Sequence, residues 1–276
     1  MPHLNKLLLL PAILAFVAIV VAPLTTIAQK PANTQQSPNT KKTQTKPPQA
    51  KQAPTYDCLF TKDKITIDGK ADEAAWKLAT PVNEFTISWA RDGKTKPPTA
   101  TRAKLLWNLE HLYFFAEMDD SDIFANVTEH DGITWNNDVF EIFLKPAEDK
   151  PGYYEFQVNA ANTTLDMYMP RRNAGGYDRF KSDGDFDFKT AVVLNGTLNK
   201  WEDKDQGWTA EGRLSWKDFD RTGGGPKPGD IWKFGLFRYD FSVDFEGPAQ
   251  STNTLLKTGS FHHHEDYSPI RFVGPK

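Results

Sequence analysis

Apolar and polar residues alternate with a period of two through most hydrophobic segments after residue 100, and a chain patterned this way folds as sheet. In YYEFQVNA, Tyr154, Phe156 and Val158 fall on one side, with Glu155, Gln157 and Asn159 on the other. In DVFEIFL, Val139, Glu141 and Phe143 lie opposite Asp138, Phe140 and Ile142. The cause is the pleat, which points successive strand side chains to opposite faces. The segments are short, rich in aromatic and β-branched residues, and bounded by Gly, Pro, Asn or Asp, as strands are. KITIDG, RAKLLWN, HLYFFAEM, DVFEIFLKP, YYEFQVNA, TTLDMYMP, KTAVVLNG, GWTAEGRL, DIWKFGLFRYDF and SPIRFVG are predicted as strands. ADEAAWKLA is a short helix with Trp76 as its buried anchor, and SWKDF is one helical turn. Many strands and one or two short helices predict an all-β fold: two packed antiparallel sheets in a jelly-roll-like β-sandwich. The connection RRNAGGYDRFKSDGDFD is long, polar and Gly-rich. Loops of that kind are usually functional or mobile.

The chain begins with a weakly basic MPHLNK, an apolar run LLLLPAILAFVAIVVAPL, and small residues at Thr26 and Ala28. That pattern predicts a signal peptide over residues 1–28 and a secreted, periplasmic or cell-surface protein. The run is also just long enough for an uncleaved anchor, although Pro11 and Pro23 weaken a spanning helix. Residues 29–55 are Pro, Gln, Thr and Lys with almost nothing apolar. Such a segment cannot bury enough surface to offset its ordering entropy and reads as a disordered linker. The folded domain is then 56–276.

Residues 1–55 hold six of the 33 basic side chains and none of the 36 acidic ones, so the domain is acidic. An acidic domain argues against a nucleic-acid partner, whose phosphates require a positive surface. Cys58 is the only cysteine, so neither an intramolecular disulfide nor a thiolate zinc site can form. The domain must stand on its hydrophobic core, for which its length suffices.

If DVFEIFL and YYEFQVNA are neighbours, one face gathers Glu141, Glu155, Gln157 and Asn159, with Trp135 at the strand mouth. An ordinary solvated outer face produces the same alternation. A sugar site also does. A pyranose offers an apolar C–H face to an aromatic plane and a rim of hydroxyls to amides and carboxylates.

These residues carry a resemblance. ITIDGKADEAAW, AKLLWNLEHLYFFAEMDDSD, HDGITWNNDVFEIFLKP, YYEFQVNAANTTLD, GWTAEGRLSWKDF, PKPGDIWKFGLFRYDF and GSFHHHEDYSPIRF follow in the order and spacing of carbohydrate-binding module family 9 and its secreted bacterial relatives. The chain resembles that family from about Ile65 to Phe272. The resemblance implies a non-catalytic β-sandwich that binds a glycan or terminal sugar, works beside glycan-degrading enzymes, and often carries structural calcium. It implies two tryptophans clamping a sugar whose hydroxyls are bonded by polar side chains. Trp135 matches the first clamp, Glu141 a carboxylate and Asn159 an amide. Gln157 stands where the family can carry an arginine. The second clamp falls in STNTLLKT, where Leu255 or Leu256 replaces an aromatic. That departure puts the ligand, or its retention, in question.

Other chemistry has thinner support. MDDSD supplies Asp119, Asp120 and Asp122, an oxygen cluster of the kind calcium prefers, though an ordinary polar turn reads the same way. In HHHEDY, His262 and His264 would share a face if the segment were a strand. The chain has no G-x-S-x-G elbow, no Cys–His pair and no H-E-x-x-H. A glycosidase needs two carboxylates across the scissile bond. Asp138 and Glu141 oppose each other by parity, whereas Glu141 and Glu155 can approach. A haem-binding electron-transfer sandwich is a further alternative, with Met167, Met169 and His262 as available ligands.

Overall fold

A computed structural model describes residues 54–181 and 186–275. The leader and nearly all of the linker lie outside the described residues. The elements run β1 (Tyr56–Phe60), α1 (Ala74–Leu78), β2 (Pro81–Val82), β3 (Thr86–Ile87), β4 (Thr101–Trp107), β5 (His111–Asp119), β6 (Val139–Lys145), β7 (Tyr153–Asn159) and β8 (Thr164–Met169). They continue with β9 (Phe188–Asn195), β10 (Gly207–Ser215), β11 (Ile231–Asp240), β12 (Ala249–Thr252) and β13 (Ser268–Val273). Short 3-10 turns occupy Thr134–Asn136, Tyr177–Arg179, Trp216–Thr222 and His264–Asp266. Among the described residues no helix is long and apolar enough to cross a membrane.

The fold is all-β, with two faces packed as a sandwich. One half is β8-β7-β6-β11-β13 and the other β4-β5-β10-β9. The halves are not separate sheets, as a sandwich of two antiparallel sheets would have them. β1 pairs in parallel with both β13 and β4, so one hydrogen-bonded path curls back on itself. YDCLF was not among the predicted strands, yet it joins the halves and buries Cys58 completely.

Between the halves lies the main core. Phe114, Phe140, Ile142, Phe156, Trp208 and Leu236 are buried there, with Phe114 stacked on Phe140 at 5.9 Å between ring centroids. The inward set of each strand is the apolar parity of the sequence. Full burial of each such side chain stabilises by about 1.5–3 kcal/mol. The outer face of β4 and β5 is covered by α1, whose Trp76 packs with Leu106 and Tyr113. The outer face of β6, β7 and β8 is covered by loops over a second apolar cluster of Phe143, Tyr153, Leu165, Met167, Phe237 and Phe261. Every residue of β6 and β7 is therefore buried, on both faces. The polar parity of these strands is not a solvated surface.

KITIDG is not a strand. The backbone N–H of Thr66 donates to Glu73 at 2.8 Å, and those of Asp68 and Gly69 to Glu211 at 3.0 Å each. Carboxylates take the bonds that a neighbouring strand would have taken.

Gly207 opens β10 with φ of 139°, and a Cβ there would sit 2.0 Å from the carbonyl oxygen of Met118. Only glycine fits, because both the conformation and the space exclude a side chain. Gly207→Ala is expected to destabilise by more than about 1 kcal/mol in urea unfolding. An unchanged midpoint would show that β10 can shift away from β5.

Candidate functional site

The loops over β6–β8 leave a cavity of about 410 Å³. Its strand side carries Glu141 and Phe143 from β6, Tyr153, Glu155 and Gln157 from β7, Met167 and Met169 from β8, and Tyr239 from β11. Trp135, Asn173, Gly175, Tyr177, Gly259, Ser260, Phe261 and His262 come from the connections, and Gln250 from β12. Register sets the arrangement: Glu141 stands opposite Gln157, and Phe143 opposite Glu155. The same pairing places Phe237 beyond Glu141 on β11.

Trp135 sits in the Thr134–Asn136 turn, half-buried, with its ring edge-on to Tyr177 at 5.0 Å. Tyr177 belongs to the long Gly-rich connection, so that loop does reach the cavity, as Asn173 and Gly175 also do. The Tyr177 hydroxyl is tied to the carbonyl of Asp131, which holds the ring against Trp135.

Glu141 is 2% exposed and Glu155 is 3% exposed. Burial pushes Glu141 well above the usual carboxylate range, and the charge of Glu155 adds to the effect. Burial also raises Glu155, against the pull of His262 and of a hydrogen bond from Gln157. Gln157 donates from Nε2 to Glu155 Oε1 at 2.6 Å and accepts from the Thr134 hydroxyl at 2.5 Å. It therefore braces the Trp135 turn against the acid pair. The His262 imidazole meets the Tyr153 hydroxyl at 2.9 Å.

A carboxyl whose folded pKa is raised contributes stability that is complete below the ordinary carboxylate range and is lost as pH rises through the folded value. The unfolding free energy is therefore expected to fall between pH 5 and pH 8 more steeply in the wild type than in Glu141→Gln. Parallel urea titrations at the two pH values check this. Equal slopes would mean that Glu141 ionises freely in the folded chain.

Of the four sequence-derived residues, Trp135, Glu141 and Gln157 share this cavity, and Asn159 does not line it. Its amide donates to the Val127 carbonyl at 2.8 Å and to Asn137 at 2.9 Å, and its oxygen accepts from the backbone of Ala161 and Thr163. Those bonds fix the turn after β7. Leu255 is 55% exposed and Leu256 is 1% exposed inside the second cluster; neither lines the cavity. Sequence parity did not find Tyr153, Tyr239 or Phe261. It also did not find Trp89, an exposed ring whose backbone packs on the rim residue Gly259.

HHHEDY is not a strand, yet His262 and His264 both pack on the Tyr153 ring. Backbone turns run from Ser260 into the His264–Asp266 helix. His262 faces the cavity, His263 pairs with Asp266 at 2.8 Å, and His264 packs on Tyr153.

Nor do Asp119, Asp120 and Asp122 converge. Asp119 pairs outward with Arg102, Asp120 pairs inward with Arg238, and Asp122 accepts from the backbone of Val243. Strand parity at the end of β5 separates the first two. Among the described residues, two other groups hold their ligand atoms within 4.8 Å of one another and could take a metal ion: Asp120–Asp138–Asp240 and His130–Asp131–Asp166. The first already contains a cation, since Arg238 lies 3.2 Å from both Asp120 and Asp240. Asp138 is pushed up to about 9, chiefly by burial and then by Asp120. The second group offers an imidazole, a donor that suits zinc-like ions better than oxygen-seeking calcium.

Against known proteins, the model of the carbohydrate family 9 binding domain-like family matches residues 67–247. Exoglucanase XynX of Acetivibrio thermocellus is 25% identical over 169 residues, which are 55% of this chain and 14% of that enzyme. The chain thus spans a small part of that relative. A family 9 carbohydrate-binding module of Caldicellulosiruptor kristjanssonii, solved with cellotriose, superposes with a TM-score of 0.55 at 17% identity, over 81% of this chain and 95% of that one. A Bacteroides uniformis protein, described as carbohydrate-binding on a provisional basis, gives 0.61 at 13% identity, over 80% and 99%. A family match across well over half of the sequence, on a sandwich of the same architecture, places this chain in the carbohydrate family 9 binding domain-like family.

Proposed function

We propose that this domain binds carbohydrate non-catalytically in the cavity between Trp135 and the β6–β7 pair, in support of extracellular glycan breakdown. The observation that carries the reading is one cavity holding an accessible tryptophan ring beside Glu141 and Gln157. An aromatic plane takes the C–H face of a sugar ring, while carboxyl and amide groups take its hydroxyls. Asn159 then acts as a positioning residue for the turn that frames β7. Similarity to a module solved with cellotriose and to an exoglucanase supports a β-linked glucan as the first ligand to try. Secretion by the predicted leader, and action beside separate glycan-degrading enzymes, belong to the same proposal.

The test is a calorimetric titration of cello- and xylo-oligosaccharides into the protein and into Trp135→Ala. Loss of the tryptophan is expected to weaken binding by about 2 kcal/mol, close to thirty-fold. Equal affinity in both proteins would remove Trp135 from the site. For the calcium implied by the resemblance, chelation is expected to leave the melting temperature unchanged if the only candidate is the Asp120 group, where Arg238 already supplies a cation. A lower melting temperature on chelation would point to an ion elsewhere, and the His130 group would be examined first.

A haem reading draws on the fact that Met167, Met169 and His262 line the same cavity. It is tested by a Soret band after haem addition. Hydrolysis needs one carboxyl ionised and its partner protonated across the bond. Release of reducing sugar by the purified protein would establish it in place of simple binding.

A further inference from the structure

We propose that the ligand of this cavity carries a protonated amine, so that the preferred sugar is an amino sugar with a free amino group. The inference rests on the carbohydrate reading above and narrows its ligand class. Two carboxyl groups, Glu141 and Glu155, face the cavity, and each is almost wholly buried. Among the described residues, no lysine or arginine lines it. Among the described residues, Glu155 meets one potential cation, His262 at 3.8 Å, and Glu141 meets none. Oε2 of Glu155 has no hydrogen-bond partner. Among the described residues no hydrogen bond reaches the carboxyl of Glu141, and Glu155 is the charged group that acts on it.

Buried carboxylates are normally paired or hydrogen-bonded, because an uncompensated charge is costly away from water. The groups that face this pair are Tyr153 from β7, Tyr239 from β11, and His262 and Tyr267 from the segment before β13. None carries a fixed positive charge. A protonated His262 would offset Glu155 and leave Glu141 unmatched. Burial keeps the pair protonated, and a cationic ligand is what would let it ionise and gain a charge-assisted bond. An ammonium entering here would be bonded by carboxylates on one side, and attracted by the faces of Trp135 and Tyr239 on the other. A sugar bearing hydroxyls alone brings no such charge.

The experiment is calorimetry on the full chain with the β-1,4-linked dimers of glucosamine, glucose and N-acetylglucosamine, at pH 7 and two salt concentrations. The glucosamine dimer is expected to bind at least about tenfold more tightly than the glucose dimer. The excess should shrink at high salt, because charge pairing is screened. In Glu141→Gln the amine and hydroxyl dimers should bind equally; if that variant melts early, Glu155→Gln serves instead. Glucose or N-acetylglucosamine dimers binding as tightly as glucosamine would overturn this inference and leave the carbohydrate reading standing. Failure of all three to bind, while longer neutral oligosaccharides bind, would do the same. Failure of every sugar would overturn both.

Discussion

Arg238→Met is expected to lower the unfolding free energy by about 3–5 kcal/mol, the usual cost of removing one partner from a buried ion pair. Arg238 is 1% exposed and lies 3.2 Å from both Asp120 and Asp240. It also donates to the carbonyl of Asp119 at 2.8 Å and to that of Ala100 at 3.3 Å. It thus ties the end of β11 to the end of β5. Without it, two buried carboxylates face each other and the raised Asp138 without a cation. Both would shift to still higher pKa, so the loss should be larger at pH 8 than at pH 5. Urea unfolding at the two pH values measures it. A cost under about 1 kcal/mol at pH 8 would show that the group is wet or holds another cation.

Trp76→Ala should cost a similar amount, about 3–5 kcal/mol, through lost burial and the cavity left behind. The side chain is 0% exposed and joins α1 to the outer face of β4 and β5. Its indole N–H donates to Glu211 at 3.0 Å. Glu211 in turn receives the backbone of Asp68 and Gly69, so this one carboxylate organises the whole segment before the helix. Trp76→Phe keeps most of the ring and removes the donor, and about 1–3 kcal/mol of the loss should remain. Thermal or urea unfolding of both variants separates packing from the hydrogen bond. A phenylalanine variant as stable as wild type would mean that Glu211 is satisfied by the two backbone donors alone.

Much of this fold is legible in the sequence because the pleat writes burial with a period of two. Phe140, Ile142, Phe156 and Val158 fell on the core side by parity, and the structure buries them between the halves. The short helix around Trp76 was equally readable, as an apolar anchor among polar neighbours. Parity fails where hydrogen bonds go to side chains, as they do in KITIDG, where Glu73 and Glu211 take the backbone donors. It also fails for YDCLF, whose central position alone is fully buried and whose parallel partners lie far along the chain.

The site shows the same division. Parity brought Glu141, Glu155 and Gln157 to one face. Alternation gives no information about what covers a face. The length and composition of the loop bearing Tyr177 mark it as functional, but alternation does not show that this loop and the one bearing Phe261 close over the polar face as a partly open cavity. Asn159 marks the limit of the method. It has the right parity, but it stands at the strand end, where the following turn claims its amide.

The central claim is that sugar enters this cavity, and a proton–nitrogen NMR titration with a bound oligosaccharide tests it most directly. The expected result is that the indole N–H of Trp135, the side-chain amide of Gln157 and the backbone amides of Gly175 and Gly259 shift together with ligand. Shifts confined to the apolar groove of Phe124, Trp201 and Val243, with the cavity resonances unmoved, would contradict it.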